Sequence, residues 1–303
     1  MAITTTTTLG DTTATVIEHA RQTEQFEAVM DGMCDKVMKP LHSGTTHNQP
    51  YWGIVTAQAL TEGQDMANPQ SMADTNVPVT PAEVGCQILL TDKAVRDNND
   101  DVLAAAGRIL GDAMAVKHDK DLLAILDSGT TSLGSGTATM SMGHLAAARA
   151  LLKGLAVTSG GPAPGRYAAV HHPYVWLDIV DVLTPVVAEG AASATSNKTG
   201  TQAGFAGEVT ENVLRNYTIG RLFGMPCVED GNLTPASSAA KGGVFATGKG
   251  GSILNVVADE WDIEEERDAS LRATELNIVG EYGVGVYLAG WIVELSKNAA
   301  TPA

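Results

Sequence analysis

The sequence predicts an α+β protein with a flattened or elongated body, and three observations carry that expectation. From Asp100 to Ser128 the chain runs without a helix-stopping signal until Gly129. Upstream, two extended segments enclose a turn-rich polar stretch, the pattern of a long hairpin. Downstream, glycine-punctuated apolar runs alternate with short helical ones and finish in the strongly β segment YGVGVYLAGWIVELS at 282–296.

The rod comes first. Asn98, Asn99 or Asp100 can cap its start, and acidic residues in the first turn suit the helix dipole. At ~1.5 Å per residue such a helix is about 42 Å long, whereas a compact chain of this size has a radius of gyration near ~19 Å. It therefore crosses most of the molecule. Val102, Ala106, Ile109, Ala113 and Val116 make a narrow apolar stripe, thickened by Leu122, Leu123, Ile125 and Leu126. KHDKD at 117–121 interrupts it and reads as a solvated face, with Lys117 and Asp121 paired at i,i+4 for about 0.2–0.5 kcal/mol.

Before the rod, the Thr-rich start MAITTTTTLG reads as a polar flexible arm. Phe26, Val29, Met30, Met33 and Val37 recur at helical spacing up to Lys39-Pro40, which predicts an amphipathic helix. YWGIVTAQAL at 51–60 is extended, 61–76 is turn-rich, and Val84, Cys86, Ile88 and Leu90 alternate as in a half-buried strand. Arms of about 12 residues would project roughly 40 Å. A lone two-stranded ribbon is marginal in water, so it has to lie on something else.

After the rod, Ser141 starts a second helix with Leu145, Ala148, Leu151 and Leu152 on one side. A strand ending in His171-His172-Pro173 then leads into a short helix. Residues 189–207 have the small, polar composition of a mobile loop. YTIGRLFGMPCVED at 217–230, GGVFATGKGG at 242–251 and SILNVVAD at 252–259 read as strands joined by glycine turns, and no internal repeat is visible.

Composition narrows the function. The chain has 303 residues, 44% of them hydrophobic, and a formal charge of −16. That charge repels phosphates, which argues against direct nucleic-acid binding as the main task. No apolar run reaches the ~18 residues of a membrane span. The start has neither a basic nor an apolar leader region, so synthesis inside the cell is expected. Cys34, Cys86 and Cys227 lack CxxC spacing and read as reduced residues.

The chemical motifs fail one after another. GVFATGK at 243–249 imitates a phosphate-binding loop, but Gly250 stands where a hydroxyl is required and a strand follows. Adjacent His171 and His172 point to opposite faces of a strand, and His42 and His47 flank SGTT without carboxylates or thiols nearby. No GxSxG elbow exists. The acidic runs at 98–101 and 264–266 read as solvated faces or helix starts, and the sequons at Asn197, Asn216 and Asn232 carry no weight without a leader. No catalytic, cofactor-binding or metal residue is assigned. A structural role leads.

In its order of parts the chain resembles the tailed-bacteriophage major capsid protein family, the Hong Kong 97-like shell fold. The stretch VPVTPAEVGCQILLTDKAVRDNNDDVLAAAGRILGDAMAVKHDKDLLAILDSG, 77–129, is similar to that family's strand returning from the extended E-loop, followed by its spine helix. WGIVTAQALTEGQDM resembles the outgoing E-loop strand with its glutamate, here Glu62. GRYAAVHHPYVWLDIVDVL and IGRLFGMPCVED resemble the axial domain, and RATELNIVGEYGVGVYLAGWIVEL the final strands of the peripheral domain.

The resemblance implies an N-terminal arm at 1–49, an E-loop at 50–83, a peripheral domain at 84–139 and 256–303 with its spine helix at about 100–128, and an axial domain at 140–255. It implies a major capsid protein that forms pentamers and hexamers of an icosahedral shell around double-stranded DNA. The implied location is the virion, after synthesis in the host bacterial cytoplasm, with no membrane involved. Arm and hairpin then lie across neighbouring copies, in obligate contacts that commonly bury ~2,000 Å² or more. Tyr51, Trp52, Glu62, Asp65, Met66, Arg267 and Arg272 are the implied intersubunit contacts, and scaffold, portal and decoration proteins the further partners.

Two departures from the family matter. The capsid-like pattern starts too early to leave room for an N-terminal scaffolding segment, so the expectation is a separate scaffold or none. Between Lys39 and Lys93 there is no lysine, so a covalent weld through the E-loop is expected to be absent. The acidic chain would form a wall that does not trap DNA during packaging. Rival readings are an encapsulin, a shell protein of the same fold that holds protein cargo, and a soluble α/β enzyme using His171 and His172.

Overall fold

The computed structural model describes residues 27–63, 65, 69–97, 102–156, 160–183 and 220–301. Among them the strands form a four-stranded sheet, a six-stranded sheet and a two-stranded ribbon. The Thr-rich start, the loop expected at 189–207 and the candidate helix caps at 98–100 lie outside the described residues.

The rod is helix α2, Val102–Ala124, about 34 Å long at ~1.5 Å per residue. Helix α1, Asp92–Asp97, precedes it, and one 3-10 turn, Ile125–Ser128, continues it to Gly129. A Cβ at Gly129 would sit 2.8 Å from the Ile292 carbonyl oxygen, so the chain turns away where only glycine fits. The apolar stripe departs from the expected one after its first two members. The buried row is Val102, Ala106, Leu110, Met114, His118 and Leu122, while Ile109 is 43% exposed. A row spaced by four residues is inclined to the helix axis and so follows a twisted sheet.

That sheet has the order β1 (Asp35–Met38), β10 (Ile253–Asp268), β11 (Ala273–Val286), β4 (Ala82–Thr91). The row on α2 packs against Leu90, Leu276 and Ile278. β1 runs parallel to β10, with Asp35 opposite Leu254. This overturns the amphipathic helix expected over 26–37. Instead a 3-10 turn at Asp31–Met33 leads into β1. Tertiary contacts override the helical spacing: Asp119 Oδ1 accepts the backbone N–H groups of Val29 and Met30 at 3.0 and 2.9 Å, and Met30 is fully buried with Leu122 and Leu123.

The KHDKD cluster is therefore only half a solvated face. Lys117 does pair with Asp121, at 2.6 Å, but His118 and Asp119 are buried. His118 meets Asn255 at 3.2 Å, and Asp119 also accepts the Asn232 amide at 2.9 Å, which makes Asn232 a buried structural residue.

The hairpin also differs. Its strands are β2, His47–Trp52, and β3, Asp74–Val79, six residues each rather than about 12. The alternating residues Val84 to Leu90 belong to β4, which pairs with β11 and not with the outgoing strand. A half-buried alternation identifies a strand without identifying its partner.

The six-stranded sheet has the order β5 (Thr131–Gly134), β12 (Ile292–Asn298), β9 (Ala239–Ala246), β6 (Tyr167–His171), β8 (Met225–Glu229), β7 (Arg221–Leu222). Helices α3, Met142–Lys153, and α4, Pro173–Leu183, supply its core with Leu145, Ala148, Leu152, Val175, Trp176 and Ile179, whereas Leu151 is exposed. The expected grouping of residues needs correction on two counts. β5 and β12 lie here and not with α2, because β12 is buried between β5 and β9. β1, within the segment expected as an arm, is a strand of the four-stranded sheet.

His171 is buried and satisfied at both nitrogens: Nε2 donates to the Leu295 carbonyl at 2.9 Å and Nδ1 accepts the His172 N–H at 2.9 Å. Burial pulls its pKa down to about 4. The 243–249 stretch ends β9 and turns into β10, with the Gly250 N–H donating to Asp35 at 2.8 Å.

The phase of α2 is testable. Leu110→Ala should cost about 2–5 kcal/mol in denaturant unfolding of dissociated subunits, and Ile109→Ala less than about 1 kcal/mol.

Candidate assembly surface

The ribbon is anchored at one end and bare at the other. On one face His47, Gln49 and Tyr51 stand opposite Val79, Val77 and Thr75. Val79 is buried against Leu254 and Val256, with Val77 and Tyr287 packed on them. The Tyr51 and Tyr287 rings meet edge to face at 6.1 Å, and the Tyr287 hydroxyl donates to the Pro50 carbonyl at 3.2 Å. Gly285 makes this close approach feasible, since a Cβ there would lie 2.5 Å from a Val79 methyl.

Beyond that anchor every described residue from Trp52 to Asn76 is exposed. The two legs stay together through Gly53 N–H to Ala73 O at 2.8 Å, and through the Gln70 side chain. Its Oε1 accepts the Thr56 N–H at 2.8 Å and its Nε2 donates to the Thr56 carbonyl at 2.7 Å, as a neighbouring strand would. Trp52, Ile54, Val55, Leu60 and Met72 are each more than half exposed. An apolar series of that kind marks a surface meant to be covered.

The sheet's other end carries a different chemistry. Arg267 forks onto Asp92 with two 2.8 Å bonds, and Arg272, held at φ +51°, lies 4.0 Å from the same carboxylate. The Arg267 guanidinium, before any other influence, holds Asp92 below the usual carboxylate range. Asp268 accepts the N–H groups of Ser270 and Leu271 and so fixes the turn between β10 and β11.

On the sheet face turned away from α2, Glu83, Glu281 and Asp259 stand directly opposite one another across three strands, and Glu266 faces Glu275. Asp262 and Glu264 lie between, opposite Val279 and Asn277. Like charges directly opposite are unfavourable, and among the described residues these carboxylates make no ion pair.

The expected contact residues thus fall into two groups. Tyr51, Trp52, Glu62 and Asp65 belong to the ribbon, Arg267 and Arg272 to the far tip of β10 and β11, and Met66 lies outside the described residues. Roughly 12 strand residues at ~3.3 Å separate the two ends, about 40 Å. Tyr51 and Arg267 are engaged within their own chain, whereas Trp52, Glu62 and Arg272 face outward. Sequence reading missed Ile54, Val55, Leu60 and Met72. Their signal was present, as apolar residues in a segment too polar to form a core.

The sequence model of a family described as phage capsid protein matches residues 76–293. No curated protein matches the chain. Among solved structures it is similar to a chain of Mycobacterium phage Che8, at 18% identity and a TM-score of 0.66, over 91% of this chain and 94% of that one. It is also similar to the head structure of Helicobacter pylori bacteriophage KHP40, at 12% identity and a TM-score of 0.72, over 95% of each chain. The capsid of a native GTA particle matches at 12% identity and a TM-score of 0.65, again over 95% of each.

Gly285→Val should push Val79 out of its seat. Limited proteolysis within 53–73 is then expected to speed up several-fold while the far-ultraviolet spectrum stays unchanged; an unaltered cleavage rate would show that Tyr51 and Tyr287 hold the ribbon without Val79.

Proposed function

The chain belongs to the phage capsid protein family, and from that premise we propose that its copies gather as pentamers and hexamers of an icosahedral shell around double-stranded DNA. The observation that carries this reading is the bare ribbon. In one copy alone, Trp52, Ile54, Val55, Leu60 and Met72 face water on a segment that two short strands cannot stabilise. Laid over the next copy, they bury that surface, and each subunit receives in turn what it gives.

On this reading α2 and the four-stranded sheet form the peripheral domain, and the six-stranded sheet with α3 and α4 forms the axial domain. The ribbon with Tyr51, Trp52, Glu62 and Asp65 reaches one neighbour, while Arg272 at the far tip meets another. Arg267 contributes by fixing that tip through Asp92. The absence of lysine between Lys39 and Lys93 supports a ribbon held by packing and not by a covalent weld. The acidic sheet face and the charge of −16 support a wall that leaves packaged DNA unbound. Synthesis in the host cytoplasm, and scaffold, portal and decoration proteins as partners, belong to the same reading.

Electron microscopy of the recombinant chain tests it. Shells, tubes or capsomers are expected. A uniform small particle under all conditions would overturn the proposal, and a shell filled with a co-purifying enzyme would replace DNA by protein cargo. A triple variant, Ile54→Ser, Leu60→Ser and Met72→Ser, should leave the subunit folded and lower assembly at least tenfold in sedimentation. A strongly basic inner face in the assembled shell would sink the acidic-wall idea alone.

A further inference from the structure

The N-terminal segment, helix α2 and the six-stranded sheet meet at a pair of buried carboxylates. Asp119 and Asp230 are each 1% exposed. Asp119 is saturated: its Oδ1 accepts the N–H groups of Val29 and Met30, and its Oδ2 the amide of Asn232. Asp230 Oδ1 accepts the Asn232 backbone N–H at 2.8 Å. The second oxygen of Asp230 is buried and unpartnered unless it carries a proton toward Asp119, the carboxylate beside it.

Little else there can neutralise a second charge. Asp31 faces the pair from the N-terminal turn and adds to the negative potential, while the Cys34 thiol beside it, pushed up to about 12 by burial and then by Asp31, stays neutral. On α2, His118 is occupied with Asn255. From the six-stranded sheet come the exposed Glu229 and the His171 carbonyl, which accepts the Asp230 N–H at 3.0 Å. Lys36 lines the adjoining cavity with Asp31 and His118 and forms no ion pair with Asp119 or Asp230.

We propose that Asp119 and Asp230 share one proton, and that this proton is a latch which fastens the turn after β8 to helix α2 and the N-terminal segment and opens as the pH rises. When it is present, Asp230 Oδ2–H donates to Asp119. When it leaves, two anions face each other in a dry site. Asp119 rides on a long packed helix and Asp230 on a short turn, so it is the turn that moves away, at the expense of the Asp230 N–H bond to the His171 carbonyl and of the Asn232 amide bonds to Asp119 at 2.9 Å and to the Glu27 carbonyl at 3.4 Å. Burial first, and then the neighbouring Asp119, push Asp230 up to about 7, from an ordinary value of 3.8. The folded junction therefore holds more protons than the unfolded chain across that window. Its stability falls as the pH rises from the lower value to the upper, and levels off above about 7.

Hydrogen exchange on the intact chain tests the latch. Protection of the residue-230 and Asn232 backbone amides, corrected for the intrinsic exchange rate, should fall up to about tenfold per pH unit between about 5 and 7 and then flatten. Asp230→Asn keeps a donor toward Asp119 without the titration, and should make that protection independent of pH. Should the variant fail to fold, infrared spectra of the unaltered chain decide. A buried protonated carboxyl band present at low pH and lost around pH 7 is expected. Constant protection across this range, or no such band at any pH, would overturn the proposal.

Discussion

A helix lying along one face of a narrow sheet can bury only one stripe, and the rest of this chain follows from that constraint. Helix α2 spends its stripe on β4 and β11. At the end of the stripe, Asp119 reaches the two remaining parts, the N-terminal segment and the turn after β8. A single side chain thus ties three regions together through hydrogen bonds in a dry setting, where leaving any of those donors unpaired costs more than forming the bond returns. The arrangement divides the buried side chains among several clusters instead of one rounded core.

A divided core has a cost that the surface displays. One face of the four-stranded sheet carries rows of carboxylates in direct register, and the ribbon presents apolar side chains to water. A monomeric protein has little reason to keep both. On the proposed reading a capsid subunit does, because neighbouring copies cover the apolar surfaces from outside and leave the charged face free.

Much of this was legible in the sequence, and the failures have a common cause. The long helix, the strand and helix around His171, and the glycine turn after Ala246 were readable because their signals are local: uninterrupted helix formers, a His-Pro boundary, a glycine cluster. The helix expected over 26–37 failed because Val37 and Met38 find a partner strand more than 200 residues away, and Asp119 takes the amides that a helix would have used. The hairpin was given the wrong returning strand for the same reason. Alternation in Val84 to Leu90 reports a buried face, not the identity of the neighbour. Even within α2, spacing alone could not separate Ile109 from Leu110, since the direction of the stripe is set by the twist of the sheet beneath it.

Strand β12 has a bearing on how the subunit is made. It separates β5 from β9, and β5 pairs with nothing else in its sheet. On a ribosome adding about 5–20 residues per second, β5 then waits on the order of 10–30 s for its partner to emerge. The six-stranded sheet cannot be completed during that time, because the strand that joins β5 to it is Ile292–Asn298. Until residue 298 has emerged, β5 has no neighbour to pair with in that sheet, so strand order alone makes the closing of the six-stranded sheet one of the last steps of folding.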